Sequence, residues 1–115
     1  MALLTVTTAP GSFPTAGVVA TKNAGAAGGD EFPATGSEML LVHNNGAAVQ
    51  DFSVLGVPDA SGRDITILQE IPIQGWVLMG PFTKIAGWAT QAGRIDVLAE
   101  TPADIEVIVI RLPAE

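Results

Sequence analysis

The sequence contains no cysteine and few basic residues, and these two shortages exclude several classes of function. Without cysteine the chain can form no disulfide, no Cys-ligated zinc site and no thiol nucleophile. Only 5 of its 115 residues are Lys or Arg, against 12 Asp and Glu, so the formal net charge is -7. Because phosphate binding requires clustered Lys and Arg, we do not expect nucleic acid as a partner.

The sequence also lacks the long apolar segments of membrane spans and of signal peptides. No run approaches the roughly 20 residues of a membrane span, so no membrane partner is expected. The N-terminus has no basic segment followed by an apolar one, as a signal peptide would, which favours synthesis in a cytoplasm. The apolar fraction of 48% excludes a disordered chain, and 115 residues suit a single domain.

Short β-rich runs alternate with turn signals along the whole chain, which has 13 Gly and 8 Pro. No window shows a sustained helical period. This pattern predicts an all-β fold: one β-sandwich domain over residues 1–115, jelly-roll-like, with about eight short antiparallel strands. The predicted strands are Leu3–Thr8, Gly17–Thr21, Glu38–His43, Val49–Leu55, Asp64–Glu70, Gly75–Met79, Arg94–Ala99 and Asp104–Leu112.

Three local signals add detail to this prediction. Asn45–Gly46 predicts a tight type I′ hairpin turn between the third and fourth of these strands. Gly80–Pro81 predicts that a strand ends there or lies at a sheet edge, because proline has no N–H to donate. The Gly/Ala-rich stretch Lys22–Ser37 predicts a flexible loop, anchored to the domain at its end by Phe32.

Two predicted strands carry apolar side chains on both faces. In Asp104–Leu112, Ile108 and Ile110 lie on the face opposite that of Val107, and Met39–Val42 shows the same pattern. A strand of this kind must be covered on its second face, either by a loop of the same chain or by another subunit. Both alternatives stay open, and the second one predicts a homo-oligomer.

Residues suited to catalysis are scarce. No nucleophile is placed to act with His43, the single histidine, so we expect a structural hydrogen-bonding role for it. The acidic pair Asp30–Glu31 falls in the predicted loop, and Asp59–Asp64 lacks the pattern of a calcium-binding loop. Gly25–Gly29 lacks the Gly-Lys-Thr/Ser ending of a phosphate-binding loop. We therefore predict a protein that is not an enzyme, with no cofactor and no metal.

The two tryptophans have two interpretations. Trp76 and Trp88 each follow a glycine, and in a chain with four phenylalanines and no tyrosine they are expected in the core or in a subunit interface. The alternative is that they form exposed stacking platforms for sugars.

Several short motifs resemble a family of virion proteins. Gly29–Gly36 has the pattern Gly-Asp-x-Phe-Pro and runs into Leu40–Gly46, a strand that ends in Asn-Gly. Gly80–Phe82 reads Gly-Pro-Phe after a strand, and Ile105–Leu112 is a C-terminal apolar strand. In these features the chain resembles the head decoration, or cement, proteins of tailed phages.

The resemblance implies a function. Proteins of this family are small β-sandwich or jelly-roll modules that bind the outside of an assembled capsid, often as trimers, and have no catalytic residues. The resemblance implies that this chain is a structural virion protein that lies on the capsid surface and stabilises the phage head. It also implies that the major capsid protein is the partner and that the chain forms a homotrimer. The alternative is a carbohydrate- or host-surface-binding module of a phage tail or fibre.

Binding to a capsid would require exposed segments and anchoring side chains. One or both of the segments Met1–Pro14 and Lys22–Ser37 are expected to contact the capsid or a neighbouring subunit. On that view, deletion of Asn23–Gly28 leaves the fold intact and weakens attachment. The candidate partner-binding residues are Phe13, Asn23, Phe32, Trp76, Trp88, Ile108 and Ile110.

Overall fold

A computed structural model of the chain describes residues 2–10, 17, 19–57, 66–82, 88, 90 and 93–112. Within these residues it contains ten strands and one short 3-10 turn, Pro102–Asp104, and this confirms the predicted all-β fold. The strands are β1 (Ala2–Leu3), β2 (Val6–Thr8), β3 (Asn23–Ala24), β4 (Asp30–Pro33), β5 (Glu38–Asn44), β6 (Gln50–Leu55), β7 (Ile67–Ile71), β8 (Trp76–Met79), β9 (Arg94–Ala99) and β10 (Ile105–Arg111).

The strands form two sheets that pack face to face as a sandwich. Sheet I has the order β1-β4-β9-β6-β7. Sheet II has the order β2-β10-β5-β8, and β3 also pairs with β10. The pairs β1/β4 and β2/β10 are parallel, so the expectation of an entirely antiparallel fold is wrong at the N-terminal strands.

The N-terminal segment joins the two sheets. The single strand predicted at Leu3–Thr8 is divided, since β1 lies in sheet I and β2 in sheet II. Between them Leu4 is only 4% exposed in the core, and its N–H donates to the carbonyl of Glu31 at 2.8 Å. Burial of this leucine between the sheets explains why the chain changes sheet here.

The turn at Asn45–Gly46 is a corner between the sheets, and the predicted hairpin is wrong. Strand β5 already pairs with β10 on one side and β8 on the other, so β6 joins sheet I instead. The fully buried side chain of Asn44 holds the corner. Its Nδ2 donates to the carbonyls of Ala48 at 2.7 Å and Ile71 at 3.1 Å, and its Oδ1 accepts the N–H of Gly46 at 2.9 Å.

The stretch Lys22–Ser37, predicted as a flexible loop, contains the strands β3 and β4. Strand β3 pairs with Glu106–Val107, and β4 pairs with β9. The prediction is wrong because strand pairing uses backbone groups, which a Gly/Ala-rich segment supplies as well as any other. The described residues of Gly17–Thr21, in contrast, form no strand where one was predicted.

Strand β9 has the bounds predicted for it, and the remaining predicted strands are found with shifted ends. The first two residues of the strand predicted at Asp64–Glu70 lie outside the described residues. Strand β8 ends at Met79, before Gly80–Pro81, at the edge of sheet II as predicted. The inner faces of the two sheets bury one apolar core. Its largest fully buried apolar side chains are Phe32, Phe52, Leu40, Ile71, Ile95, Ile105, Val42, Val54, Val97, Val107 and Val109.

One buried charge lies at the edge of this core. The carboxylate of Glu38 is fully buried and accepts hydrogen bonds from the N–H of Thr35 at 2.7 Å and its hydroxyl at 2.6 Å. The Nε of Arg111 donates to the same carboxylate at 2.7 Å. Burial alone would raise the pKa of Glu38, but these hydrogen bonds and the guanidinium charge outweigh it and hold the pKa below its ordinary value.

Candidate interaction surface

The outer face of sheet II carries a continuous set of apolar side chains. Along the strand register, Ile108, Leu41 and Leu78 lie directly opposite one another, and Ile110 lies opposite Met39. We call this surface the apolar face. Its members are Met39, Leu41, Trp76, Leu78, Ile108 and Ile110.

Exposure of the apolar face increases from the centre of sheet II to its edge. Ile108 on the central strand β10 is 7% exposed, whereas Leu78 and Trp76 on the edge strand β8 are 59% and 45% exposed. The prediction that β5 and β10 are apolar on both sides is confirmed. The exposed fractions at β8 show that no described segment of the chain covers this end of the face.

One end of the apolar face has a stacked aromatic pair beside a carboxylate. The rings of His43 and Trp76 stack at a centroid distance of 4.1 Å and an angle of 19°. The Nδ1 of His43 lies 3.6 Å from a carboxylate oxygen of Glu106, too far for a hydrogen bond. Within the described residues this buried nitrogen has no hydrogen-bond partner, so His43 contributes here by ring stacking rather than by the bond predicted for it.

The outer face of sheet I is mixed, because it exposes Leu68 and Leu98 beside several charged side chains. It carries five carboxylates, and two pairs of them lie directly opposite one another across neighbouring strands. On this surface Arg94 is ion-paired with Glu31 at 2.8 Å. Burial, followed by the nearby charge of Glu31, raises the pKa of Asp96 above its ordinary value. We call this surface the acidic face, formed by Glu31, Asp51, Glu70, Asp96 and Glu100 together with Arg94.

The structure brings three of the seven predicted partner-binding residues together. Trp76, Ile108 and Ile110 share the apolar face. Of the two places expected for Trp76, its exposure excludes the core and leaves the subunit interface open. The nearby position of Leu78 was missed, although the alternation of Trp76 with Leu78 along the strand is the signal that could have identified it.

The other predicted residues lie elsewhere. Phe32 is fully buried in the core, so its side chain is not accessible to a partner. Asn23 is used within the chain: its amide accepts the N–H of Thr5 and donates to the carbonyls of Thr5 and Val107. Phe13 lies outside the described residues.

Trp88 is half-buried and packs against the core. It lines an open cleft of about 400 Å³ between the edge strands of the two sheets, together with Ile67, Met79 and Phe82. A second groove of about 480 Å³ lies at one end of the acidic face. The structure therefore does not place the two tryptophans on a shared platform, because one belongs to an outer face and the other to the gap between the sheets.

The described part of the chain contains no group of three or more His, Asp or Glu side chains placed to hold a metal ion. Across the same residues, no helix has the length and hydrophobicity needed to span a membrane. Comparisons of the chain with family models, curated proteins and solved structures find no match.

Proposed function

We propose that this chain is a structural protein that decorates the outside of an assembled phage capsid and stabilises it. The observation that carries the proposal is the apolar face, with Leu78 and Trp76 exposed at its edge in a chain of net charge -7. An apolar sheet face of this kind is typical of a surface that binds another protein. The resemblance to head decoration proteins supports the capsid as the assembly in which that binding occurs.

The two outer faces suit such a role because they differ in chemistry. Burial of the apolar face removes exposed leucine and tryptophan from water, while the acidic face stays hydrated and keeps the protein soluble. Weak contacts repeated over a capsid lattice then add up through avidity. The proposal needs no catalytic group.

The segments expected to contact the capsid need a different test from the deletion considered above. Removal of Asn23–Gly28 would delete strand β3 and the hydrogen bond from the N–H of Gly25 to the carbonyl of Ile105 at 2.9 Å. Loss of binding by that variant would therefore report damage to the fold. Point substitutions of exposed side chains avoid this problem.

Cosedimentation with capsids that lack the protein tests the proposal. We expect saturable binding of the full chain, and weaker binding of Leu78→Lys. The matched control is Leu68→Lys, because Leu68 is 64% exposed on the edge strand of the other sheet and the substitution changes the charge equally. Absence of binding by the wild-type chain would refute the proposal, and equal binding by both variants would remove the apolar face from it.

A carbohydrate-binding function is the second candidate, because Trp76 is 45% exposed at the edge of sheet II. Exposed aromatic rings of this kind stack on sugars. Trp88→Phe leaves Trp76 as the single tryptophan, so its fluorescence can be followed during titration with oligosaccharides. A saturable shift in emission would favour this candidate, whereas the capsid proposal predicts no shift.

A further inference from the structure

We propose that Asn45 is a site of spontaneous deamidation, and that the side chain of Asn44 suppresses the reaction while the chain is folded. Asn45 lies at the corner between the two sheets, its side chain is exposed to water, and glycine follows it. The other two asparagines, Asn23 and Asn44, are followed by alanine and asparagine. The inference is independent of the proposed function, because it concerns the covalent chemistry of the corner.

Deamidation of an asparagine begins in the backbone of the next residue. The amide nitrogen of Gly46 loses its proton and attacks the side-chain carbonyl carbon of Asn45. A nitrogen–carbon bond forms, the bond from that carbon to the side-chain nitrogen breaks, and this nitrogen regains a proton and leaves as ammonia. Water then opens the cyclic imide to aspartate or isoaspartate. Because glycine has no side chain to hinder the attack, the pair Asn45–Gly46 is reactive unless the fold restrains it.

The folded corner restrains the peptide unit that has to react. The N–H of Gly46 donates to Oδ1 of Asn44 at 2.9 Å, and Gly46 is buried, so this proton is shielded from the water that would remove it. The carbonyl of Gly46 accepts a hydrogen bond from Nε2 of Gln74 at 3.2 Å, and the N–H of Asn45 donates to the carbonyl of Asp104 at 2.7 Å. The nitrogen of Gly46 can therefore lose its proton and turn toward Asn45 only after bonds on both sides of it break.

The packing around the corner makes Asn44 the main restraint. Its side chain is fully buried, and its Nδ2 is held by the carbonyls of Ala48 and Ile71, so its Oδ1 stays directed at the N–H of Gly46. On another side of Gly46, an added Cβ would lie 2.8 Å from a carboxylate oxygen of Asp104 and 3.0 Å from its Cβ. The peptide unit consequently has little room to turn as long as Asn44 holds it.

The product of the reaction would not restore the corner. Either product adds one negative charge to a chain whose net charge is already -7, next to a glycine against which the side chain of Asp104 packs. Isoaspartate also routes the main chain through the side-chain carbon of Asn45 and lengthens it by a carbon atom. The N–H of Gly46 then no longer lies opposite Oδ1 of Asn44, so the modified chain should be less stable than the original one.

Peptide mass mapping of the full chain, incubated at mildly alkaline pH, tests the inference. Conversion of the Asn45 amide to an acid should be at least about tenfold slower in the folded chain than in concentrated guanidinium chloride, since local opening has to precede it. Asn44→Ala removes the acceptor of the Gly46 N–H and should speed the reaction about fivefold or more. Gln74→Ala, a change at an exposed residue, frees the carbonyl of Gly46 and should speed it by a smaller factor.

The matched control is Arg111→Met, which breaks the ion pair with Glu38 at the opposite end of β5. It should destabilise the fold about as much as Asn44→Ala but leave the corner intact, so Asn45 should react at the wild-type rate. Equal rates in folded and unfolded wild-type chains would overturn the inference. A rate in Asn44→Ala no higher than in Arg111→Met would also overturn it, because protection would then come from global stability. If circular dichroism shows that Asn44→Ala is unfolded, the comparison of Gln74→Ala with Arg111→Met decides in the same way.

Discussion

Replacement of Arg111 by methionine tests how the fold accommodates its buried carboxylate. In the native chain the carboxylate of Glu38 is fully buried and receives three hydrogen bonds of 2.6–2.7 Å, one of them from Arg111. Methionine keeps much of the length of the arginine side chain and removes its charge and donors. Arg111→Met therefore leaves a buried negative charge that only the two bonds from Thr35 compensate.

The expected loss of stability follows from this arrangement. Removal of one partner of a buried ion pair typically costs about 3–5 kcal/mol. Because the two hydrogen bonds from Thr35 persist, we expect the lower end of that range, about 3 kcal/mol at pH 7. The double variant Glu38→Gln with Arg111→Met removes the stranded charge, and we expect it to regain at least half of the loss.

The pH dependence of the loss has a definite sign. In the native chain the pKa of Glu38 lies below its ordinary value of 4.5, so the group stabilises the fold above that pH and the contribution is lost as pH falls through the folded pKa. Without Arg111, one hydrogen bond and the positive charge that lower the pKa of Glu38 are lost while its burial persists, so this pKa should rise. Protonation at low pH then relieves the penalty, so the difference in stability between wild type and Arg111→Met should shrink as pH falls toward 4.

Urea denaturation followed by circular dichroism, at several pH values between 4 and 7, provides the measurement. The slope of the unfolding free energy against urea concentration should be the same for all variants, which shows that the same surface is exposed on unfolding. A loss below about 1 kcal/mol at pH 7 that does not change with pH would refute the account, since it would mean that the carboxylate does not depend on Arg111.

Two further predictions concern single positions that hold the sandwich together. Asn44→Ala should lower the free energy of unfolding by about 2–4 kcal/mol, because it leaves buried groups at the sheet corner without hydrogen-bond partners. The control is Asn45→Ala, which changes an exposed neighbour and should cost far less. Equal losses of stability in urea denaturation would contradict the role of Asn44. Gly25→Ala should cost about 1–3 kcal/mol, because an added Cβ would lie 2.5 Å from the carbonyl oxygen of Pro102. The control Gly17→Ala has open space around its Cβ, so a similar drop in its melting temperature would argue against that contact.

Sequence patterns located part of the candidate surface. Nearly uninterrupted apolar runs in β5 and β10 predicted strands with apolar side chains on both faces, and that inference depends only on the two-residue period of a strand. The same period applies to Trp76 and Leu78, but it does not distinguish an edge strand from a central one. Gly80–Pro81 predicted that β8 ends or lies at an edge there, without showing that these two side chains stay exposed. The acidic face was not predicted, because its carboxylates come from four separate segments that only the strand register brings together.

The sequence by itself determined the all-β class, the positions of most strands, the end of β8 at Gly80–Pro81 and the excess of negative charge, because these follow from local propensity and composition. Only the tertiary structure decided which sheet each strand joins. The chain around Asn45–Gly46 has the local signal of a hairpin, yet β5 is paired on both sides and the next strand must cross to the other sheet. Strand β3 likewise forms because β10 offers it free backbone partners, and such long-range pairing leaves no mark in a Gly/Ala-rich sequence.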